Sequence, residues 1–198
     1  MKRKKGHRRG RVALLCAAAV LAFSALSGTA FAETDDVGAT VTGGSLIIAA
    51  ALDAGTFSTT LDGTAQTLSG TGFSNFDITD ARGTGVGWSV TMQATVFDNG
   101  TLAGKDLATN SLTAPLFSVT KIDESSSAVP GTLHAAATID TGSSGVVMVA
   151  CSAFAQGMGK YRFSADASAW KLAVPAHAYR GTYTSTITTT LATLALTE

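Results

Sequence analysis

The chain holds two cysteines and three histidines, a scarcity that removes several kinds of chemistry at once. Cys16 falls inside an N-terminal apolar run, so only Cys151 remains in the body of the chain and no intramolecular disulfide can form there. His134, His177 and a single thiol do not make a zinc set. Asp77 and Asp80 flank a strand end beside Arg82, too few oxygen ligands at too wide a spacing for a calcium loop. We therefore expect no metal and no cofactor. His134, Asp140 and Cys151 would be the only material for a Cys/His/Asp hydrolytic site. Cys151, however, follows the apolar run Val146–Ala150, where a small buried thiol is ordinary, and no signature of a nucleophilic cysteine surrounds it. No catalytic residue is assigned.

Charge is also sparse, at 14% of residues, and it is unevenly placed. Lys2, Arg3, Lys4, Lys5, Arg8, Arg9 and Arg11 open the chain, an apolar stretch runs from Val12 to about Leu26, and small residues lead to Ala30-Phe31-Ala32. That order is the pattern of a secretory signal peptide over residues 1–32, cut after Ala32. The apolar run is too short for a permanent membrane span. Arg8-Arg9 leaves a twin-arginine route open beside general secretion, with Arg11 standing where such signals want an apolar residue. Leu14-Leu15 precede Cys16 where a lipoprotein signal needs small residues, so Cys16 is expected to leave with the peptide.

From Glu33 onward seven basic residues face fourteen acidic ones, a net charge of −7. Such a surface argues against nucleic acid and against anionic membranes as partners. Attachment to any anionic surface would then rest on stacking, hydrogen bonds and shape. The C-terminal stretch from Leu191 to Glu198 carries no sorting motif and no apolar anchor, which predicts non-covalent retention.

Helical periodicity is almost absent too, and short β-branched runs broken by Gly, Asp and Asn take its place. The remaining 166 residues or so suit one domain with a proper core, with no repeat and no second domain. We expect an all-β fold over residues 33–198, a single-domain antiparallel β-sandwich of the immunoglobulin-like, Greek-key type. The clearest strand runs from Val86 to Phe97, with Trp88, Val90, Met92, Ala94 and Val96 on an inward face and Ser89, Thr91, Gln93 and Thr95 opposite. Asp98-Asn99-Gly100-Thr101 supplies a turn. The last strand, from about Thr182, puts Tyr183, Ser185, Ile187, Thr189 and Leu191 on one face. The threonines at 182, 184, 186, 188 and 190 form a solvated row on the other. Further strands are expected near Ser45–Ala50, Phe73–Thr79, Ser111–Thr120, Val146–Cys151, Tyr161–Phe163 and Trp170–Val174, the last ended by Pro175. Lys121–Pro130 and Asp140–Gly145 read as surface loops.

Two long segments carry a family likeness: FDITDARGTGVGWSVTMQAT, from Phe76 to Thr95, and WKLAVPAHAYRGTYTSTITTTL, from Trp170 to Leu191. In this order they resemble the WxL domain, a cell-wall-binding module of the Gram-positive surface, and the likeness runs from about Val37 to near the end. Trp88-Ser89-Val90 stands where the family has its first Trp-x-Leu triplet, with Val for Leu. Gly181-Thr182-Tyr183-Thr184 is kept, but Thr189-Thr190-Leu191 replaces the second triplet, so its Trp is missing. The resemblance implies a non-catalytic surface protein whose ligand is peptidoglycan, with another surface protein as a further partner. It points to Trp88, Val90, Trp170, Tyr183 and Leu191 as ligand-binding candidates. Trp88 has two readings, an aromatic platform for a wall glycan or peptide, or a core residue under the sheet, as its inward alternation suggests. Trp170, in the literal triplet Trp170-Lys171-Leu172, is either core or a second aromatic contact that stands in for the missing one. A strand-donating structural subunit is the alternative function.

Overall fold

The computed structural model describes residues 37–53, 55–142, 144–151 and 156–194. The basic run, the apolar run, Cys16 and the cleavage site after Ala32 lie outside the described residues. Within them the chain runs through β1 (Leu46–Ala50), β2 (Gln66–Ser69), β3 (Phe76–Asp80), β4 (Trp88–Ala94), β5 (Asp98–Asn99), β6 (Leu112–Ala114) and β7 (Ser118–Lys121). It continues through β8 (Thr132–Leu133), β9 (Ala137–Thr138), β10 (Val146–Cys151), β11 (Gly159–Ser164), a single 3-10 turn at Ala167–Ala169, β12 (Lys171–Val174), β13 (Tyr183–Thr184) and β14 (Ile187–Thr193).

The strands form the expected all-β antiparallel fold, as three four-stranded sheets and a ribbon. Sheet I has the order β1-β3-β11-β7, sheet II β14-β4-β10-β8, sheet III β2-β12-β6-β9, and β13 pairs with β5. One core draws on all three sheets: Phe76, Ile78 and Phe163 from sheet I, Trp88, Val90, Met92 and Met148 from sheet II, Leu112 and Ala114 from sheet III. The alternation read along β4 holds, with Trp88, Val90, Met92 and Ala94 all buried. β4 lies between β14 and β10, and Ser89 on its other face is buried as well. In β10 the register slips between Val147 and Val149, and this bulge turns both Met148 and Val149 into the core.

The long strand expected over Ser111–Thr120 is instead two strands in different sheets, β6 in sheet III and β7 in sheet I. Pro115 sits at the break, where it has no N–H to give to a ladder. The corner it makes sends Phe117 into the core. β2 had no counterpart in the sequence reading. It is an edge strand entered from a turn in which Asp62 accepts the backbone N–H of Thr64, and Gly63 takes φ of 85°.

Three carboxylates placed in loops or at strand ends have structural partners. Arg162 of β11 lies opposite Asp77 of β3 and donates to it at 2.8 and 2.7 Å. Arg82 forks onto Asp80 at 2.9 Å on both arms and also reaches the carbonyl of Val86 and the hydroxyl of Thr193. It thereby ties the glycine-rich loop before β4 to the end of β14. Asp140, expected on a surface loop, is fully buried and accepts from Ser111 N, Ser111 Oγ and Leu112 N at 2.7 to 3.0 Å, which pins its loop to β6.

Candidate functional site

The hydrolytic constellation is not assembled. Asp140 is committed to Ser111 and Leu112, His134 is exposed with Nδ1 on the carbonyl of Ala135, and Cys151 is buried opposite Trp88 in the sheet II ladder. Among the described residues no group of His, Cys, Asp or Glu could hold a metal ion.

Trp88 has no exposed face, and its Nε1–H donates to the carbonyl of Gly157 at 3.0 Å. Gly157 holds a φ of 78° and packs so closely under the indole and Cys151 that any side chain there would overlap Sγ. Val90 and Trp170 are equally buried. All three side chains are fully buried in this structure, so none of them presents a surface to a ligand here. Leu191, opposite Val90 on β14, is half-buried against the same core. Of the five candidates only Tyr183 borders an opening.

That opening is a cleft of about 870 Å³ above a small second core of Leu107, Leu172 and Val174. One wall is the segment that follows β12. Pro175 ends the strand as expected, Ala178 N bonds back to the carbonyl of Pro175 at 3.0 Å, and Tyr179, Arg180 and Gly181 lead into β13. The Tyr183 hydroxyl donates to the carbonyl of Tyr179 at 2.6 Å, so the two tyrosines brace each other. The ribbon partner of β13 is β5, and the loop after β5 places Lys105 Nζ 4.9 Å from the centre of the Tyr179 ring. The opposite wall comes from residues 55–61, with Phe57 and Leu61.

Asn99 holds the ribbon and this loop together. It is buried, its Oδ1 accepts from Thr101 N and Leu102 N at 3.0 and 3.1 Å, and its own N–H reaches Asp106 Oδ1 at 3.0 Å. Gly181 passes directly over the amide: a Cβ there would lie 2.6 Å from Asn99 Oδ1. The turn expected at Asp98–Thr101 is thus present, with Asp98 and Asn99 also serving as a strand. Asp98 is held above the usual carboxylate range, first by sharing a hydrogen bond with Asp106.

The cleft and the main core are joined by a continuous series of ring contacts. Trp88 meets Phe163 edge to face at 6.2 Å, Phe163 stacks on Phe76 at 4.8 Å, and Phe76 meets Phe117 at 5.2 Å. Phe117 meets Trp170 at 6.2 Å, and Trp170 stacks on Phe73 at 4.3 Å. Phe73 then touches Phe57, and Phe57 touches Phe97, at 5.6 and 6.4 Å. The last three rings line the cleft. Trp170 therefore backs the cleft directly, through Phe73, while Trp88 is joined to it only through the intervening rings.

Tyr179, Phe57 and Phe97 were not singled out from the sequence. Tyr179 lay inside the quoted segment, and its neighbours in that segment were the available signal. Phe57 stands in a stretch to which no element was assigned, and Phe97 read as the end of a strand.

No curated protein and no solved structure matches the chain. A family model described as a WxL domain, surface cell-wall-binding, matches residues 38–194, which takes in every strand and the whole cleft. Among the described residues no helix is long and apolar enough to cross a membrane. The chain belongs to the WxL-domain family of cell-wall-binding surface domains.

Proposed function

We propose that the chain is exported, cleaved after Ala32, and attached non-covalently to peptidoglycan through the aromatic cleft, as a binding module without catalytic activity. The observation that carries this reading is that the family segment from Val174 to Thr184 supplies one wall of the cleft. Its exposed tyrosine, half-buried phenylalanines and the hydroxyls of Thr59, Thr182 and Ser185 make a surface for stacking and hydrogen bonding, which suits a hydrated saccharide. Binding of this kind does not need the bulk positive charge that the net −7 chain lacks.

Co-sedimentation with washed, polymer-stripped peptidoglycan tests it. The protein should sediment at low and at high salt. Tyr179→Ala, at a position 47% exposed, should weaken binding about fivefold or more, the ~1 kcal/mol scale of a contact residue, without changing the melting temperature. Equal binding by Tyr179→Ala would remove the cleft from the account.

One feature favours a second reading, assembly with another surface protein by strand addition. β14 closes sheet II with an outer edge that no described strand covers, and over seven residues it carries no charge, no proline and no bulge. Unprotected edges of this length are templates for pairing. A monomer by size exclusion that stays monomeric at high concentration would speak against self-assembly through this edge.

A further inference from the structure

We infer that the cleft is specific for a wall unit that carries a carboxylate, with Arg180 as the group that reads it; this rests on the wall-binding reading above. The argument begins with the chain's few cations. After Ala32 there are seven lysines and arginines. Arg82 and Arg162 are spent in ion pairs with Asp80 and Asp77. Lys121 is turned onto the carbonyl of Ser126 and Lys171 onto the hydroxyl of Ser69. Two of the others, Lys105 and Arg180, make no ion pair among the described residues; Arg180 lines the cleft, and Lys105 lies over Tyr179, which also lines it. Arg180 is the one charged residue among those that line it, and it is exposed.

The acids of the β5 ribbon and its loop have partners of their own. Asp106 accepts the N–H of Asn99 and shares a hydrogen bond with Asp98, so both carboxylates of the loop face each other and the ribbon backbone. Lys105 covers one face of Tyr179, the residue before Arg180. An acidic protein thus presents, in one aromatic cleft, a planar guanidinium with no carboxylate of its own.

A guanidinium fork matches a carboxylate in two parallel hydrogen bonds, and the aromatic lining takes the apolar face of the attached residue. Densely phosphorylated polymers fit less well, because each further phosphate would meet the net negative surface. In polymer-stripped peptidoglycan the available carboxylates belong to the stem peptides, and we assign the ligand to those, with the glycan strand beside them.

The test compares the exported protein with Arg180→Gln and Arg180→Lys, each checked by thermal melt, against three probes. These are stripped peptidoglycan, the same material after its carboxylates are converted to amides with carbodiimide and ammonia, and the neutral N-acetylglucosamine hexamer. On untreated wall, Arg180→Gln should bind about tenfold more weakly and Arg180→Lys should fall between. On the amidated wall the unsubstituted protein should drop by a similar factor and the difference between it and Arg180→Gln should vanish. The hexamer should bind equally to both. Equal binding to untreated and amidated wall, or an unchanged Arg180→Gln, would overturn the carboxylate assignment and leave wall binding standing. No binding of the unsubstituted protein to any probe would remove the wall reading itself, and this inference with it.

Discussion

Replacing Trp88 separates the two roles that its position in the family motif allows. The indole is fully buried, touches Phe163, and donates one hydrogen bond to Gly157 at 3.0 Å. Trp88→Ala removes the whole ring from a site walled by two neighbouring strands, and large aromatic truncations of this kind cost about 3–5 kcal/mol. Against a typical domain stability of about 5–15 kcal/mol, that is enough to unfold a marginal protein. Trp88→Phe is the gentler probe. It keeps an aromatic contact, leaves the Gly157 carbonyl without its donor and opens part of the indole volume, which together should cost about 2–3 kcal/mol. At roughly 2–4 °C per kcal/mol for a domain of this size, Tm should fall by about 4–12 °C. Urea melts give the free energy, and wall sedimentation at a temperature where Trp88→Phe remains folded gives the binding. The expected result is a large stability loss with near-unsubstituted affinity once the folded fraction is allowed for. A variant with unchanged Tm and abolished binding would refute the burial argument and return Trp88 to the ligand surface.

Other substitutions probe the supports of the cleft. Gly181→Ala places a methyl 2.6 Å from the buried amide of Asn99, so urea melts should show a loss of about 1–3 kcal/mol and sedimentation a weakened affinity, because the ribbon and the Tyr179 wall must shift together. Asp140→Ala strands two backbone N–H groups and one hydroxyl, of Ser111 and Leu112 where β6 begins, and chemical denaturation should show it destabilised by about 3 kcal/mol or more. Asp98 has a raised folded pKa, so its contribution to stability is fully present below the ordinary carboxylate pKa and is lost as pH rises through the folded value. Melts across the acid range should therefore show the advantage of the unsubstituted protein over Asp98→Asn shrinking as pH rises, and a difference that does not vary with pH would contradict the shared hydrogen bond.

Much of the fold could be read from local pattern. β4 turns Trp88, Val90, Met92 and Ala94 inward as read, β14 alternates over Ile187–Leu191, and the threonines at 182, 184, 186, 188 and 190 are exposed as expected. Pairing was not legible. Nothing local in Ser111–Thr120 says that its halves enter different sheets, since the break at Pro115 has meaning only once two sheets exist to be entered. The double burial of Met148 and Val149 depends on a bulge against β4, a property of the pair of strands. The site divided in the same way. Motif likeness led to the segment Trp170–Leu191, part of which lines the cleft, but to the residues within it that are conspicuous by type. A tryptophan attracts attention whether it lies on the surface or packs beneath it, and here both are buried. The cleft is formed by Phe57, Phe97 and Tyr179, from three separate stretches that only the β5–β13 ribbon and the edge of sheet III bring together.

The central claim is that this domain meets the wall at the aromatic cleft. Hydrogen exchange of the exported protein, free and saturated with soluble peptidoglycan fragments, tests it most directly. The account predicts new protection at residues 55–61, 97–107 and 176–185, with the amides of β14 unchanged. Protection confined to β14, or to the outer face of sheet I, with exchange at Tyr179 to Tyr183 unaffected, would contradict it.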